Sequence, residues 1–130
     1  MVRIAVVIAA IGLSTAAFAQ NAPTPAQGPN FVTVEQGALA TSLKGLNVRN
    51  AGDENVGEIE DAVIDGTSIR AYILSVGGFL GMGTHYVAVA PSALMLTWSE
   101  SDKKWNARIN ATKDQLKAAP QFKYEGRFAK

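Results

Sequence analysis

From Leu43 onward the sequence runs as short β-prone stretches broken by turn formers, without the alternation of strand and helix that a parallel sheet requires. Leu46-Asn47-Val48 alternates apolar and polar, and residues 50–55 are dense in turn formers. Residues 56–64 read as a strand of mixed apolar and acidic residues. The spacing of Val56, Ile59 and Val63 departs from period two and predicts a bulge near Gly57. Asp65-Gly66 marks a hairpin turn, and residues 69–76 form the strongest strand, nearly apolar on both faces. A glycine-rich loop over residues 77–83 separates it from a strand at 84–90. Pro91-Ser92-Ala93 predicts a single turn, followed by strands at 94–98 and 105–109 on either side of a polar turn. Thr112-Lys113-Asp114-Gln115 is a capping-box pattern that opens a short helix ending by Pro120. The expectation is a mainly β chain: a small closed or half-closed barrel of five to six short antiparallel strands with a short C-terminal helix. Closure removes exposed strand edges.

At 130 residues, 48% apolar and 18% charged, the chain holds enough apolar material for one small globular domain. It contains no cysteine, which excludes a disulfide framework, a thiolate nucleophile, a zinc finger and an iron–sulfur cluster. The formal charge of +1 gives no reason to expect nucleic acid or another polyanion as partner. The N-terminus reads as an export signal. Arg3 supplies the positive region, residues 4–13 are almost unbroken apolar, and Ala17-Phe18-Ala19 sets small residues before a cut between Ala19 and Gln20. Ser14 and Thr15 interrupt the run before it reaches the about 20 apolar residues of a spanning helix. Stable membrane insertion after cleavage is therefore not expected, and the lack of cysteine excludes a lipid-anchored lipoprotein. The organisation expected is a signal peptide at 1–19 and a flexible leader at 20–41, rich in Pro, Ala, Gln and Asn at its start and ending near the β-prone Phe31-Val32-Thr33-Val34. A barrel domain at 42–111 and a helix with tail at 112–130 follow.

Charge is unevenly spread. Residues 20–66 carry seven acids (Glu35, Asp53, Glu54, Glu58, Glu60, Asp61, Asp65) against Lys44 and Arg49, whereas residues 67–130 carry nine bases against four acids. Such polarity can draw the two halves together or support head-to-tail association of copies.

The order and spacing of several segments resemble the PRC-barrel family. The residues that carry this are Leu43-Lys44-Gly45-Leu46-Asn47-Val48, the Gly57-Glu58-Ile59-Glu60-Asp61 strand, the apolar strand at 71–76, the Gly78-Phe79-Leu80-Gly81-Met82-Gly83 loop and Val87-Ala88-Val89-Ala90-Pro91. The segment Thr112-Lys113-Asp114-Gln115-Leu116, with Ala119-Pro120-Gln121-Phe122, is similar to exported stand-alone members from alphaproteobacteria. The resemblance implies a small barrel that serves as an assembly or docking module and not as a catalyst. The family also includes the H subunit of photosynthetic reaction centres and a ribosome-maturation factor. This chain has a cleavable signal in place of the membrane helix of the former and lacks the second domain of the latter, so neither role transfers.

Motifs with chemical potential are few. His85 is the single histidine, and a zinc or iron site needs three or four spaced ligands. No nucleophile elbow or triad spacing accompanies it. Gly81-Met82-Gly83 opens like a dinucleotide fingerprint, but Tyr86 stands at the third glycine position and a strand follows where a helix is required. Asp53-Glu54-Asn55 with Glu58 lacks the glycine and twelfth-position glutamate of a calcium loop. Glu58 and Glu60 are expected on one strand face with Asp61 opposite, an acidic outer face and not a catalytic carboxylate pair. No metal, cofactor or catalytic residue is assigned.

The loop tip is the most informative feature. Phe79, Leu80 and Met82 stand among glycines beside His85 and Tyr86, and either plug the barrel end or form a partner contact. The expected function is an exported, non-enzymatic interaction module in the periplasm. Phe79, Leu80, Met82, His85 and Tyr86 would contact an envelope protein, steered by Asp53, Glu54, Glu58, Glu60 and Asp61. The alternative is a periplasmic binding protein for a small amphipathic ligand or a cation.

Overall fold

The β-prone stretches form six strands of one sheet in the computed structural model, which describes Gly12, residues 31–78 and residues 83–130. The signal residues Arg3 and Ala17-Phe18-Ala19, the start of the leader, and Phe79, Leu80 and Met82 lie outside the described residues. A short helix α1 (Ala40–Leu43) leads into β1 (Asn47–Arg49), followed by β2 (Asn55–Asp65), β3 (Ser68–Val76) and β4 (His85–Val89). A 3₁₀ turn at Pro91–Ala93 joins β4 to β5 (Leu94–Ser99), and β6 (Lys104–Ile109), helix α2 (Lys113–Ala118) and a 3₁₀ turn at Gly126–Phe128 complete the order. Phe31-Val32-Thr33-Val34, β-prone by composition, forms no strand; no neighbour pairs with it, and its apolar side chains stay exposed.

The strand order is β4-β3-β2-β1-β6-β5. The barrel is half-closed, and one correction to its antiparallel pairing follows. The β1–β6 ladder is parallel, with Val48 opposite Ala107 and Arg49 opposite Arg108, because the chain returns to β1 only after building the strands between. That places the three-residue β1 at the centre of the sheet, where Val48 is fully buried. In addition, β4 and β5 share the Pro91–Ala93 corner but no ladder, so the barrel is left open along this seam.

β2 and β3 meet in a two-residue turn, with Asp65 paired to Ser68 and Gly66 at φ 62°, a conformation that glycine adopts without Cβ strain. The irregular spacing along β2 has a physical cause in two bulges. Val48 faces Gly57 while Arg49 faces Asn55, leaving Val56 as the extra residue; Ile59 faces Leu74 while Asp61 faces Ile73, leaving Glu60 extra. Each bulge resets the alternation, so Val56 and Ile59 both point into the core although three apart. Gly57 beside the first bulge has no room for a side chain, since a Cβ there would lie 2.6 Å from the Ser75 carbonyl oxygen.

The core face gathers Leu43, Val48, Val56, Ile59, Tyr72, Leu74, Val76, Val87, Leu94, Ala107 and Ile109, closed by Leu116 of α2. α2 starts in a complete capping box: the Gln115 backbone N–H donates to Thr112 Oγ1 at 3.1 Å, and the Thr112 N–H donates to Gln115 Oε1 at 2.9 Å. The helix packs against β2, β3 and β4. Among the described residues Leu116 closes this side of the core, and the plug expected from Phe79, Leu80 and Met82 lies outside the described residues.

Candidate functional site

On the core side of the sheet, α1, the tip of the β2–β3 hairpin and β5 enclose a groove of about 520 Å³. Ile59, Ala62, Tyr72 and Leu96 form its apolar walls, and Thr41, Lys44, Glu60 and Asp61 supply the polar groups. The β2–β3 hairpin forms one side of it, and residues 38–44 and Leu96 of β5 the other. Ile64 and Ile69 belong to its lining at the hairpin tip, yet are 71% and 42% exposed. Two β-branched residues left in water beside an apolar channel form, among the described residues, a contact surface without a cover.

The residues singled out from sequence take other positions. His85 pairs across the ladder with Val76, and its Nε2–H donates to the Ala119 carbonyl oxygen at 2.9 Å. It fastens the chain leaving α2 to the start of β4. Tyr86 lies on the outer face of the sheet, edge-on to Tyr124 with 5.1 Å between ring centres. Phe79, Leu80 and Met82, their expected companions, lie outside the described residues.

The five acids divide into two groups. Asp53 and Glu54 sit in the β1–β2 turn. There Arg108 Nη2 donates to Asp53 Oδ1 at 3.3 Å, Arg49 Nη1 donates to the Asp53 carbonyl at 2.8 Å, and Asn50 Nδ2 donates to Glu54 at 3.4 Å. Glu58, Glu60 and Asp61 belong to β2. The expectation that Asp61 projects opposite to Glu58 is corrected: the Glu60 bulge sets Asp61 against Ile73 and Glu58 against Ser75, both outer-face positions. An acidic strip therefore runs along the outside of β2.

Residues 122–130, to which no role attached in sequence, lie against this outer face. Phe122 N–H donates to the Tyr86 carbonyl at 2.7 Å, anchoring the segment to the free edge of β4. Phe122 and Tyr124 stack edge-on at 5.2 Å, and Phe122 meets Phe128 at 5.4 Å. Lys130 Nζ donates to Glu60 Oε1 at 2.7 Å and sits 4.2 Å from the centre of the Tyr124 ring. The Glu60 hydrogen bond holds the Lys130 amine above its ordinary range, and burial does the same for the Tyr124 hydroxyl. Beneath the segment Ile73 is 0% exposed although it points away from the main core. Two signals were present in sequence: a β3 strand apolar on both faces needs cover on both, and Phe122 and Tyr124 keep the two-residue period of extended chain.

The Glu60–Lys130 and Asp53–Arg108 pairs each join the acidic half to the basic half. Both are partly or well exposed, where such pairs contribute about 1 kcal/mol or less. They orient the joined segments more than they stabilise them.

No curated protein matches the chain. The family model of the PRC-barrel domain matches residues 35–116, well over half of the sequence and nearly all of the sheet. An open six-stranded sheet with a short capping helix fits that domain, and the chain belongs to the PRC-barrel family.

Proposed function

We propose that this PRC-barrel domain acts in the periplasm, after export, as a non-enzymatic interaction module that docks an envelope protein. The observation that carries the reading is the uncovered apolar groove with exposed Ile64 and Ile69 at its rim. The N-terminal pattern around Arg3 and Ala17-Phe18-Ala19 supports export, and the family's character as a protein-interaction module supports docking. The partner inserts an apolar anchor side chain between Tyr72 and Leu96, while the groove's polar residues meet its rim.

The test is crosslinked affinity capture from envelope extract, comparing the wild type with an Ile64→Ser, Ile69→Ser variant whose changes fall on exposed positions. A protein held by the wild type, lost with the variant and rebound as a purified component supports docking at the groove. Equal capture by both removes the groove from the interface. Immunoblotting of cell fractions with N-terminal sequencing of the mature chain tests export, and a chain retained whole in the cytoplasm refutes it. A second reading is favoured by the groove's volume and lining: a small amphipathic ligand whose apolar part lies on Ile59 and Leu96. A melting temperature raised by one compound class in the wild type, and not in an Ile59→Ser variant that still folds, would select that reading.

A further inference from the structure

The family match ends at residue 116, and the segment at 122–130 covers sheet surface that lies away from the core. Its hold is loose. Beyond Leu116 no residue is fully buried, and a single backbone hydrogen bond among the described residues ties the segment to β4. The Tyr124 hydroxyl is buried without a hydrogen-bond partner, an unmet group at the centre of the contact. Charge favours the contact: Glu60 pairs with Lys130, Asp61 borders the same cleft as Arg127 and Lys130, and the segment carries Lys123, Arg127 and Lys130 against Glu125. The covered face also continues past the segment. A polar groove of about 520 Å³ extends from Glu60 and Tyr86 to Glu58, Ser75 and Gly77, and remains open.

We propose that the outer face of β2–β3–β4 is a second docking surface, which takes an extended stretch with aromatic residues two apart, followed by a turn, as at Gly126–Phe128, that brings a basic side chain back to Glu60. The chain's own residues 122–130 are its resident occupant, and a partner protein bearing such a segment displaces them. Tyr86 and Ala88, two apart on β4, direct their backbone groups to the same free edge, and the resident segment pairs only with Tyr86. An incoming strand that also pairs with Ala88 adds to the sheet by β-augmentation while its aromatic side chains take the places of Phe122 and Tyr124. The apolar groove opens on the core side of the sheet, Glu60 and Asp61 stand at the β2 bulge and border both surfaces, and the inference does not depend on docking at the groove.

The test begins with the full folded chain. A specific protease site is placed in the linker 119–121 and cut after folding, the released segment is dialysed away, and a fluorescent peptide of residues 121–130 is added. Fluorescence anisotropy should show saturable binding to the cut protein and at least about tenfold weaker binding to the uncut protein, whose site is filled in cis. A Phe122→Ala peptide should bind at least about tenfold more weakly. A Lys130→Glu peptide should lose about two- to fivefold, recovered on a Glu60→Lys barrel. A peptide of the same composition in scrambled order should not bind. Equal binding to cut and uncut protein, no binding to a cut protein with an unchanged circular dichroism spectrum, or unfolding once the segment leaves would each overturn the proposal. The last outcome would make residues 122–130 an integral layer of the fold.

Discussion

Ile73 separates a covering segment from a merely neighbouring one. It is 0% exposed, yet its neighbours Tyr72 and Leu74 face the core and it points the other way, towards Phe122, Tyr124 and Phe128. Truncation to alanine removes every side-chain carbon beyond Cβ, a transfer loss of roughly 2–2.5 kcal/mol at about 0.8 kcal/mol per methylene. The cavity left under the segment brings the total to about 3 kcal/mol. If that burial comes from the C-terminal segment, the same substitution in a chain ending at Pro120 strikes a largely solvent-facing position and costs about 1 kcal/mol or less. The coupling between Ile73→Ala and the truncation should therefore be about 2 kcal/mol, well above the few tenths expected of independent sites. Urea denaturation of the four proteins, followed by circular dichroism, measures it, provided the slopes with denaturant stay comparable. Equal costs of Ile73→Ala with and without the segment would refute the reasoning and assign the burial of Ile73 to the sheet itself.

Two further predictions concern the first β2 bulge and the C-terminal contact. Gly57→Ala should destabilise the domain by about 2 kcal/mol or more, because its Cβ would press on the Ser75 carbonyl at 2.6 Å and backbone cannot yield as a side-chain tip can; thermal unfolding reads the loss, and an unchanged Tm would contradict it. Alkaline pH should release the C-terminal segment. Lys130 and Tyr124 both have raised folded values, so the stability they contribute is complete below their ordinary values of 10.5 and 10.0 and falls as pH climbs past them. The NMR ring signals of Phe122 and Phe128, which do not themselves titrate, should move above pH 10.0, and a Lys130→Met, Tyr124→Phe variant should show no such step.

Much of the fold was legible because its determinants are local. Asp65-Gly66 specifies a turn by chemistry, Thr112 and Gln115 cap a helix through their own side chains, and the mismatch of Val56, Ile59 and Val63 revealed that β2 bulges. What stayed hidden depends on distant partners. Nothing in Leu46-Asn47-Val48 indicates that its second neighbour is β6 and parallel, since alternation encodes a face and not a partner. The bulge at Glu60 falls between Ile59 and Asp61, and strict alternation across Glu58, Glu60 and Asp61, which carries no apolar mark of the slip, puts Asp61 on the wrong face. For the candidate sites, the acids of β2 were found as residues, but their meeting with Lys130 required the fold. The apolar groove was not legible, because Leu96 of β5 and Ile64 of β2 come to line one space only through the fold of the whole sheet.

The central position of β1 also has a kinetic consequence. Val48 finds one neighbour nearby in β2 but must wait for Ala107 to supply the other. The β2–β3–β4 meander and the β5–β6 hairpin each form through short-range contacts, whereas their union through β1 closes a long loop and should limit the folding rate. A chain emerging N-terminus first therefore presents β1 early and leaves it half-paired until β6 arrives. On the export reading proposed above this delay is useful, since a domain that cannot complete its sheet before its last strand appears stays threadable for most of its passage.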